Sequence, residues 1–201
     1  MKPIFESAKQ LESELISIRR TLHQYPEIGS ILPRTQSFVF GKLEEYGYCP
    51  QKLCESAVTA TISGKQPGKT ILLRADMDAL PIQEAAPVSF ASENGSMHAC
   101  GHDMHTAMLL GAAKLLKQYQ QDLVGTVKLV FQPDEEGFTG AKAMLKAGVL
   151  ENPHVDAGIA FHVVSGIPSG TVMCGSGTCM AGCTLFQIHI KGAGCHGAMP
   201  E

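Results

Sequence analysis

Residues 127–136, Val-Lys-Leu-Val-Phe-Gln-Pro-Asp-Glu-Glu, decide the fold that the sequence predicts. An almost continuous apolar run leads there directly into acidic residues. Residues 70–73 lead into 74–78 in the same way, and residues 157–161 lead into His162. Near-continuous apolar strands are typical of a sheet that is covered on both faces. Because helical patterns alternate with these strands, the sequence predicts an α/β fold.

The helical patterns can be placed from apolar spacing and stop signals. Residues 11–25 carry one apolar stripe that ends before Pro26, and residues 35–46 form a second helix before Gly47. Two further helices are predicted. One begins with Asp103 as its N-cap, and a shorter one covers residues 140–147.

Residues 97–105, Met-His-Ala-Cys-Gly-His-Asp-Met-His, place one thiol and three imidazoles within nine residues. Cys100 and His102 are ligand types that divalent metals of intermediate softness prefer. At a helix start, backbone N–H groups and the helix dipole would favour the metal-binding thiolate of Cys100. The alternative is a buried thiol beside a capping histidine.

Glu135 and Glu136 lie beyond the strand of residues 127–131. Neighbouring residues at a strand end point in different directions, so one carboxylate could bind metal while the other accepts a proton from water. A solvated turn is the alternative. Asp76 and His162 follow the other two strands, and the crevice beyond parallel strands is the usual ligand site. A lone histidine in an apolar strand is, however, more often a core residue than a ligand.

Several other polar residues allow more than one interpretation. Asp76 and Asp78 share a strand face, so either could orient a ligand imidazole. His105 could support the metal site or simply pack, and the sequence leaves this open. His23 is interpreted as a helix cap, and His154 as a surface residue.

The composition limits the class of protein. The 201 residues carry a net charge of −3, without a basic cluster that would bind nucleic acid. The longest apolar run, 106–116, is too short to span a membrane. The N-terminus lacks a signal-peptide pattern and the seven cysteines are odd in number, so a cytoplasmic protein with free thiols is expected.

Four of these cysteines, Cys174, Cys179, Cys183 and Cys195, lie close together in the sequence. A structural zinc site is one interpretation of this cluster. The spacing lacks the paired Cys-x₂-Cys units of such sites, which favours small buried thiols. Residues 185–190 alternate apolar and polar and predict a strand with one solvated face.

Six stretches together resemble one known family, the M20 metallopeptidases and amidohydrolases, in the aminoacylase-like branch that includes hippurate hydrolases and auxin–amino acid conjugate hydrolases. They follow the family's order over essentially the whole chain. The stretches are 73–81 (LRADMDALP), 98–103 (HACGHD), 131–137 (FQPDEEG), 140–144 (GAKAM), 161–163 (FHV) and 196–200 (HGAMP).

The resemblance implies a specific site and reaction. Cys100, His102, Glu136 and His162 would be ligands of a site for two divalent ions, Zn²⁺ or Mn²⁺, and Glu135 would be the general acid and base. The reaction implied is hydrolysis of a small N-acyl amino acid, or a related amide, to a carboxylate and an amino acid. The alternative is a non-catalytic remnant that retains part of the metal site.

The resemblance also implies a domain organisation. Residues 1–178 would be the N-terminal portion of a three-layer catalytic domain with a mostly parallel sheet. Residues 179–201 would begin an α+β lid and dimerisation domain, in which His196 helps to bind the scissile carbonyl of a homodimer partner's substrate. The family's last metal-ligating histidine would lie beyond Glu201. We therefore expect the 201-residue chain alone to be nearly inactive and to self-associate.

Overall fold

The computed structural model describes residues 2–199 and divides the chain into two units, one up to Val164 and one from Ser165. Within the described residues, no helix has the length and apolar character needed to cross a membrane. The helices are α1 (Lys2–Gln10), α2 (Glu12–Gln24), α3 (Pro33–Glu45), α4 (His102–Gln118) and α5 (Gly140–Lys146). The strands are β1 (Gln51–Lys52), β2 (Val58–Ser63), β3 (Gln66–Asp76), β4 (Val124–Gln132) and β5 (Ala157–Ala160).

The five strands form one sheet in the order β1-β2-β4-β3-β5. Strand β3 is parallel to both β4 and β5, whereas β2 runs antiparallel to β4 and β1 antiparallel to β2. Asp76 lies opposite Gln132, and Arg74 lies opposite Ala160. The carboxyl ends of β3, β4 and β5 therefore lie side by side, along one edge of the sheet. This confirms the predicted α/β fold with a parallel core.

Both faces of the sheet are covered at its central strands, as the apolar pattern predicted, whereas all four residues of β5 are exposed. On one face, Leu129 and Phe131 of β4 pack in the main core with Leu43 of α3 and Leu110 of α4, and all four are fully buried. On the other face, a smaller cluster joins the sheet to α5 and the turn that follows it, with Ala57, Val130, Met144 and Val149. Since Phe131 is 0% exposed, truncating it to Ala would cost about 3–5 kcal/mol.

Helix α4 begins two residues earlier than predicted. Its N-cap is Gly101 with a φ of +86°, so Asp103 lies inside the first turn and is not the cap. A Cβ at Gly101 would stand 2.4 Å from Cγ2 of Val163. Glycine is therefore required here, both for the left-handed backbone and for the close approach of residue 163.

The described part of the second unit, residues 165–199, contains no helix and no strand. The strand predicted for residues 185–190 is absent, and Leu185 and Ile190 are 87% and 92% exposed. An alternating apolar pattern forms a strand only when neighbouring strands satisfy its backbone groups. The cysteine cluster was also predicted wrongly, because Cys174, Cys179, Cys183 and Cys195 are all exposed.

Candidate metal centre

The candidate site lies where the segments after β3, β4 and β5 meet the start of α4. Asp76 is the last residue of β3, and Glu135 follows the end of β4 by three residues. His162 follows β5 by two residues, Cys100 precedes α4, and His102 is its first residue. The common edge of parallel strands thus brings together residues that are far apart in sequence.

The Nε2 atom of His102 lies at the centre of one group of side chains, and the imidazole is fully buried. Three carboxylate oxygens surround it: Asp76 Oδ2 at 3.7 Å, Glu135 Oε2 at 3.8 Å and Glu136 Oε1 at 3.9 Å. These separations exceed hydrogen-bond length. The donor atoms of His102, Glu135 and Glu136 lie within 4.8 Å of one another, which leaves space for a cation between them.

Cys100 and His162 form the other side of the cluster. The Sγ of Cys100 lies 3.4 Å from Nε2 of His162, and His162 Nδ1 lies 2.6 Å from the carbonyl oxygen of Val163. The donor atoms of Cys100, His102 and His162 all lie within 4.8 Å of one another. His162 is exposed, so its interpretation as a core residue is wrong.

Two atoms of the cluster are buried without a hydrogen-bond partner among the described residues, His102 Nε2 and Glu136 Oε1. Asp76 Oδ2, in contrast, lies 2.7 Å from Nη1 of Arg74. Buried polar atoms normally have partners, because leaving them unpaired costs free energy. Here a ring nitrogen of His102 lies within 4.8 Å both of a Glu136 oxygen and of the thiol and imidazole of Cys100 and His162. The donor set of sulfur, imidazole nitrogen and carboxylate oxygen therefore fits a divalent metal ion.

Asp78 sets the orientation of His102 and of the two glutamates. His102 Nδ1 lies 2.9 Å from the main-chain carbonyl oxygen of Asp78, which can only accept. Nδ1 therefore carries the proton, and Nε2 keeps its lone pair. The two carboxylate oxygens of Asp78 accept hydrogen bonds from the backbone N–H groups of Glu135 and Glu136, each at 3.0 Å.

His105 supports the site without offering a donor atom to it. Its Nε2 accepts a hydrogen bond of 2.9 Å from the backbone N–H of Val163, so its Nδ1 donates to Asp76 Oδ1 at 2.6 Å. Both nitrogens are thus used. This settles the question that the sequence left open, because His105 links the end of β3 to the residue beside His162.

The protein's own groups make this cluster strongly negative. Burial alone would raise the pKa of Asp76, but the hydrogen bond from His105 and the charge of Arg74 outweigh it and lower that pKa. Burial alone would lower the pKa of His102, yet the hydrogen bond to Asp78 and the nearby carboxylates raise it. Surroundings that favour a proton on this imidazole also favour a metal cation beside it.

The protein groups around Cys100 oppose its thiolate form. Burial and the charge of Glu136 raise the pKa of the thiol to about 11. A divalent cation would oppose both effects, since its charge stabilises the coordinating thiolate. Proton release should therefore accompany metal binding at Cys100.

His196 belongs to the second unit and is exposed. Its Nδ1 accepts a hydrogen bond of 3.3 Å from the backbone N–H of Ala198, and its carbonyl oxygen accepts one of 2.8 Å from Met199. Its predicted role with the substrate stays a prediction.

Sequence reasoning missed a second buried cluster, formed by Arg19, His23, Glu84 and Asp103. His23 is 3% exposed and bonds two carboxylates, whereas the sequence interpretation made it a helix cap. One signal was present, because an acidic residue in the first buried turn of α4 requires a cationic partner. Spacing alone could not identify a partner 80 residues away in the chain.

The chain is similar to known proteins over most of its length. Residues 72–196 match the model of a family described as Peptidase family M20/M25/M40. The chain is 46% identical over 194 residues to the N-acetyl-L-cysteine deacetylase of Bacillus subtilis (strain 168), a match that covers 95% of this chain and 46% of that protein. It is 43% identical over 195 residues to the N-acyl-L-amino acid amidohydrolase of Geobacillus stearothermophilus, covering 96% of this chain and 52% of that protein.

A solved structure is also similar. It is a Bacillus subtilis protein described as a dinuclear metal binding peptidase from the M20 family, with a TM-score of 0.76 and 42% identity. The match covers 80% of this chain and 45% of that one. The chain spans about half the length of the curated relatives it matches. Since the family model matches more than half of its residues, the chain belongs to peptidase family M20/M25/M40.

Proposed function

We propose that this chain forms the larger part of the metal site of an amidohydrolase that cleaves N-acyl amino acids to a carboxylate and an amino acid. The observation that carries the proposal is the convergence of the unpaired atoms His102 Nε2 and Glu136 Oε1 beside the pair Cys100 and His162. The names of the relatives, an N-acetyl-L-cysteine deacetylase and an N-acyl-L-amino acid amidohydrolase, suggest the substrate class.

Cys100, His102, Glu136 and His162 are the proposed ligands of two divalent ions. When bound, the ions would polarise the amide carbonyl and acidify the attacking water. We favour Zn²⁺ over Mn²⁺, because a thiol and imidazoles suit zinc better than the oxygen donors that manganese prefers.

Glu135 is the proposed general acid and base. Its side chain is 37% exposed and reaches the same cluster as Glu136, whose Oε1 is buried. A carboxylate that faces both the cluster and solvent can take a proton from water and give it to the leaving nitrogen. The Asp78 carboxylate accepts a hydrogen bond from the backbone N–H of Glu135. The backbone at Glu135 is therefore already fixed before the proton transfer.

The remaining parts of the proposal concern the wider protein. His196 would assist at the scissile carbonyl in a homodimer, with residues 1–178 as catalytic portion and 179–201 as the start of a lid and dimerisation domain. Seven free cysteines suit a reducing compartment, and we propose the cytoplasm.

Hydrolysis and chelation together test the proposal. An active protein that contains this chain should release amino acid from N-acetyl-L-cysteine or N-acetyl-L-methionine. It should lose that activity with a chelator and regain it with Zn²⁺ or Mn²⁺. A protein that binds metal but hydrolyses none of a panel of N-acyl amino acids would instead be the non-catalytic remnant. Activity that resists the chelator would contradict the metal site itself.

A further inference from the structure

The segment that carries Cys100 and His102 is fixed at both of its ends. Before it, residues 81–96 form a loop whose base is closed by Leu80 and Met97, which exchange two backbone hydrogen bonds of 3.0 Å each. After it, α4 begins at His102. The position of the two proposed ligands therefore depends on what holds this loop and the first turn of α4.

His23 of α2 bonds to both of these elements. Its Nδ1 lies 2.7 Å from Asp103 Oδ2, in the first turn of α4, and its Nε2 lies 2.9 Å from Glu84 Oε1, in the loop. Glu84 in turn accepts a hydrogen bond of 2.6 Å from the backbone N–H of Ser92. The side chains of His23, Asp103 and Glu84 are 3%, 0% and 1% exposed, so these bonds form away from solvent.

Arg19, one turn earlier on α2, makes a parallel set of contacts. Its Nε donates to Asp103 Oδ2 at 2.7 Å, and its guanidinium lies 4.8 Å from the centre of the Phe90 ring, in the loop. The ring of Phe90 also meets His23 edge-on at 5.6 Å. Arg19 and His23, both on α2, therefore each contact the 81–96 loop and α4.

The charges of this cluster suit an ion pair between buried groups. The hydrogen bond to Asp103 and the one to Glu84 raise the pKa of His23. Asp103 Oδ2 lies 2.7 Å from both Arg19 Nε and His23 Nδ1. Guanidinium and imidazolium can therefore neutralise Asp103 and Glu84, and removing one partner would leave a buried charge uncompensated.

We propose that Arg19 and His23 are positioning residues for the metal site, which hold Cys100 and His102 in place through Asp103 and Glu84. The inference rests on the proposed function, because it takes Cys100 and His102 to be metal ligands. Packing of α2 alone does not require Arg19 and His23. Ile18 and Leu22 of the same helix already bury its apolar face in the main core. The polar contacts of Arg19 and His23 go instead to Asp103, the residue directly after His102.

Titration with Co²⁺ tests the proposal, since a thiolate ligand produces a near-ultraviolet charge-transfer band with cobalt. His23→Gln in the whole chain should weaken Co²⁺ binding by ~10- to 100-fold, the usual effect of losing a group that orients a ligand. Leu22→Ala is the matched control. It shortens a buried apolar side chain of the main core one residue away and leaves every polar group of the cluster in place, so it should lower thermal stability and leave Co²⁺ affinity within about twofold.

Arg19 provides a second set of variants, because its side chain is 29% exposed and its replacement is better tolerated during folding. Arg19→Gln should weaken binding, and Arg19→Lys should recover part of the loss by restoring the cation. Wild-type affinity in both His23→Gln and Arg19→Gln would overturn the proposal. So would an equal loss in Leu22→Ala. If the wild-type chain shows no thiolate band, or keeps it in Cys100→Ser, the proposed metal site fails first.

Discussion

At the candidate metal centre, hydrogen bonds decide which histidine nitrogens keep a free lone pair. His105 uses both nitrogens for Asp76 and Val163, so it has no lone pair to offer. His102 uses only Nδ1, and its Nε2 has no partner among the described residues. Two histidines three residues apart on one helix therefore differ in whether a ring nitrogen is available to a ligand, because their hydrogen bonds differ.

The same reasoning separates the two adjacent glutamates. Glu135→Gln should retain metal and lower turnover by ~10²- to 10⁴-fold, the usual contribution of a general acid or base. Glu136→Gln should lose metal, because an amide oxygen is a weaker ligand than a carboxylate. Metal content and hydrolysis rates, measured in an active protein that contains this chain, check both expectations.

Glu151→Gln is the matched control for these two variants, since the Glu151 side chain is 63% exposed and its ion-pair partner is His154, outside the candidate metal centre. It should change neither metal content nor turnover. If Glu135→Gln loses metal as fully as Glu136→Gln, the division of roles between the two glutamates is wrong.

At the scale of the elements, the start of α4 depends on a glycine. Gly101→Ala should lower the free energy of unfolding by about 1–3 kcal/mol from backbone strain at its positive φ, with a further cost from the contact with Val163. Gly41→Ala is the control, because Gly41 lies inside α3 with open space around it. It should stabilise the protein by about 0.5–1 kcal/mol. Urea unfolding measures both, and equal effects would contradict the assigned conformation.

The contact of α2 with α4 should depend on pH. The pKa of His23 is raised above 6.5 in the folded protein, so the stability it contributes is fully present below 6.5 and is lost as pH rises through the folded value. Asp103 and Glu84 have lowered pKa values, so their contribution is lost only in acid, as pH falls through those values.

The difference in unfolding free energy between wild type and His23→Gln should therefore be largest in mildly acidic solution and should narrow in alkaline solution. Denaturant titrations over this range measure it. A difference that widens as pH rises would show that His23 is not held as an imidazolium.

For the whole molecule, the sequence predicted what depends on local pattern. The apolar run 127–131 predicted β4, and the similar endings of three strands predicted that Asp76, Glu135 and His162 would lie at one edge. These inferences succeeded because strand direction and burial follow from residues close together in the chain.

Features that depend on distant residues were not predictable in this way. The partner of Asp103 is His23, on another helix, and no spacing rule connects the two. The N-cap of α4 is Gly101. Residue 101 must be glycine because Val163, 62 residues later in the chain, leaves no room for a side chain there. Likewise, the pattern of residues 185–190 could not supply the neighbouring strands that it would need.

The central claim is that Cys100, His102, Glu136 and His162 hold divalent metal, and absorption during Co²⁺ titration of the chain tests it most directly. We expect a saturable near-ultraviolet thiolate-to-cobalt band in the wild type. Cys100→Ser should lose the band. Zn²⁺ should also remove it by displacing Co²⁺, because the two ions compete for the same thiol and imidazole donors. No band in the wild type, or an unchanged band in Cys100→Ser, would contradict the claim.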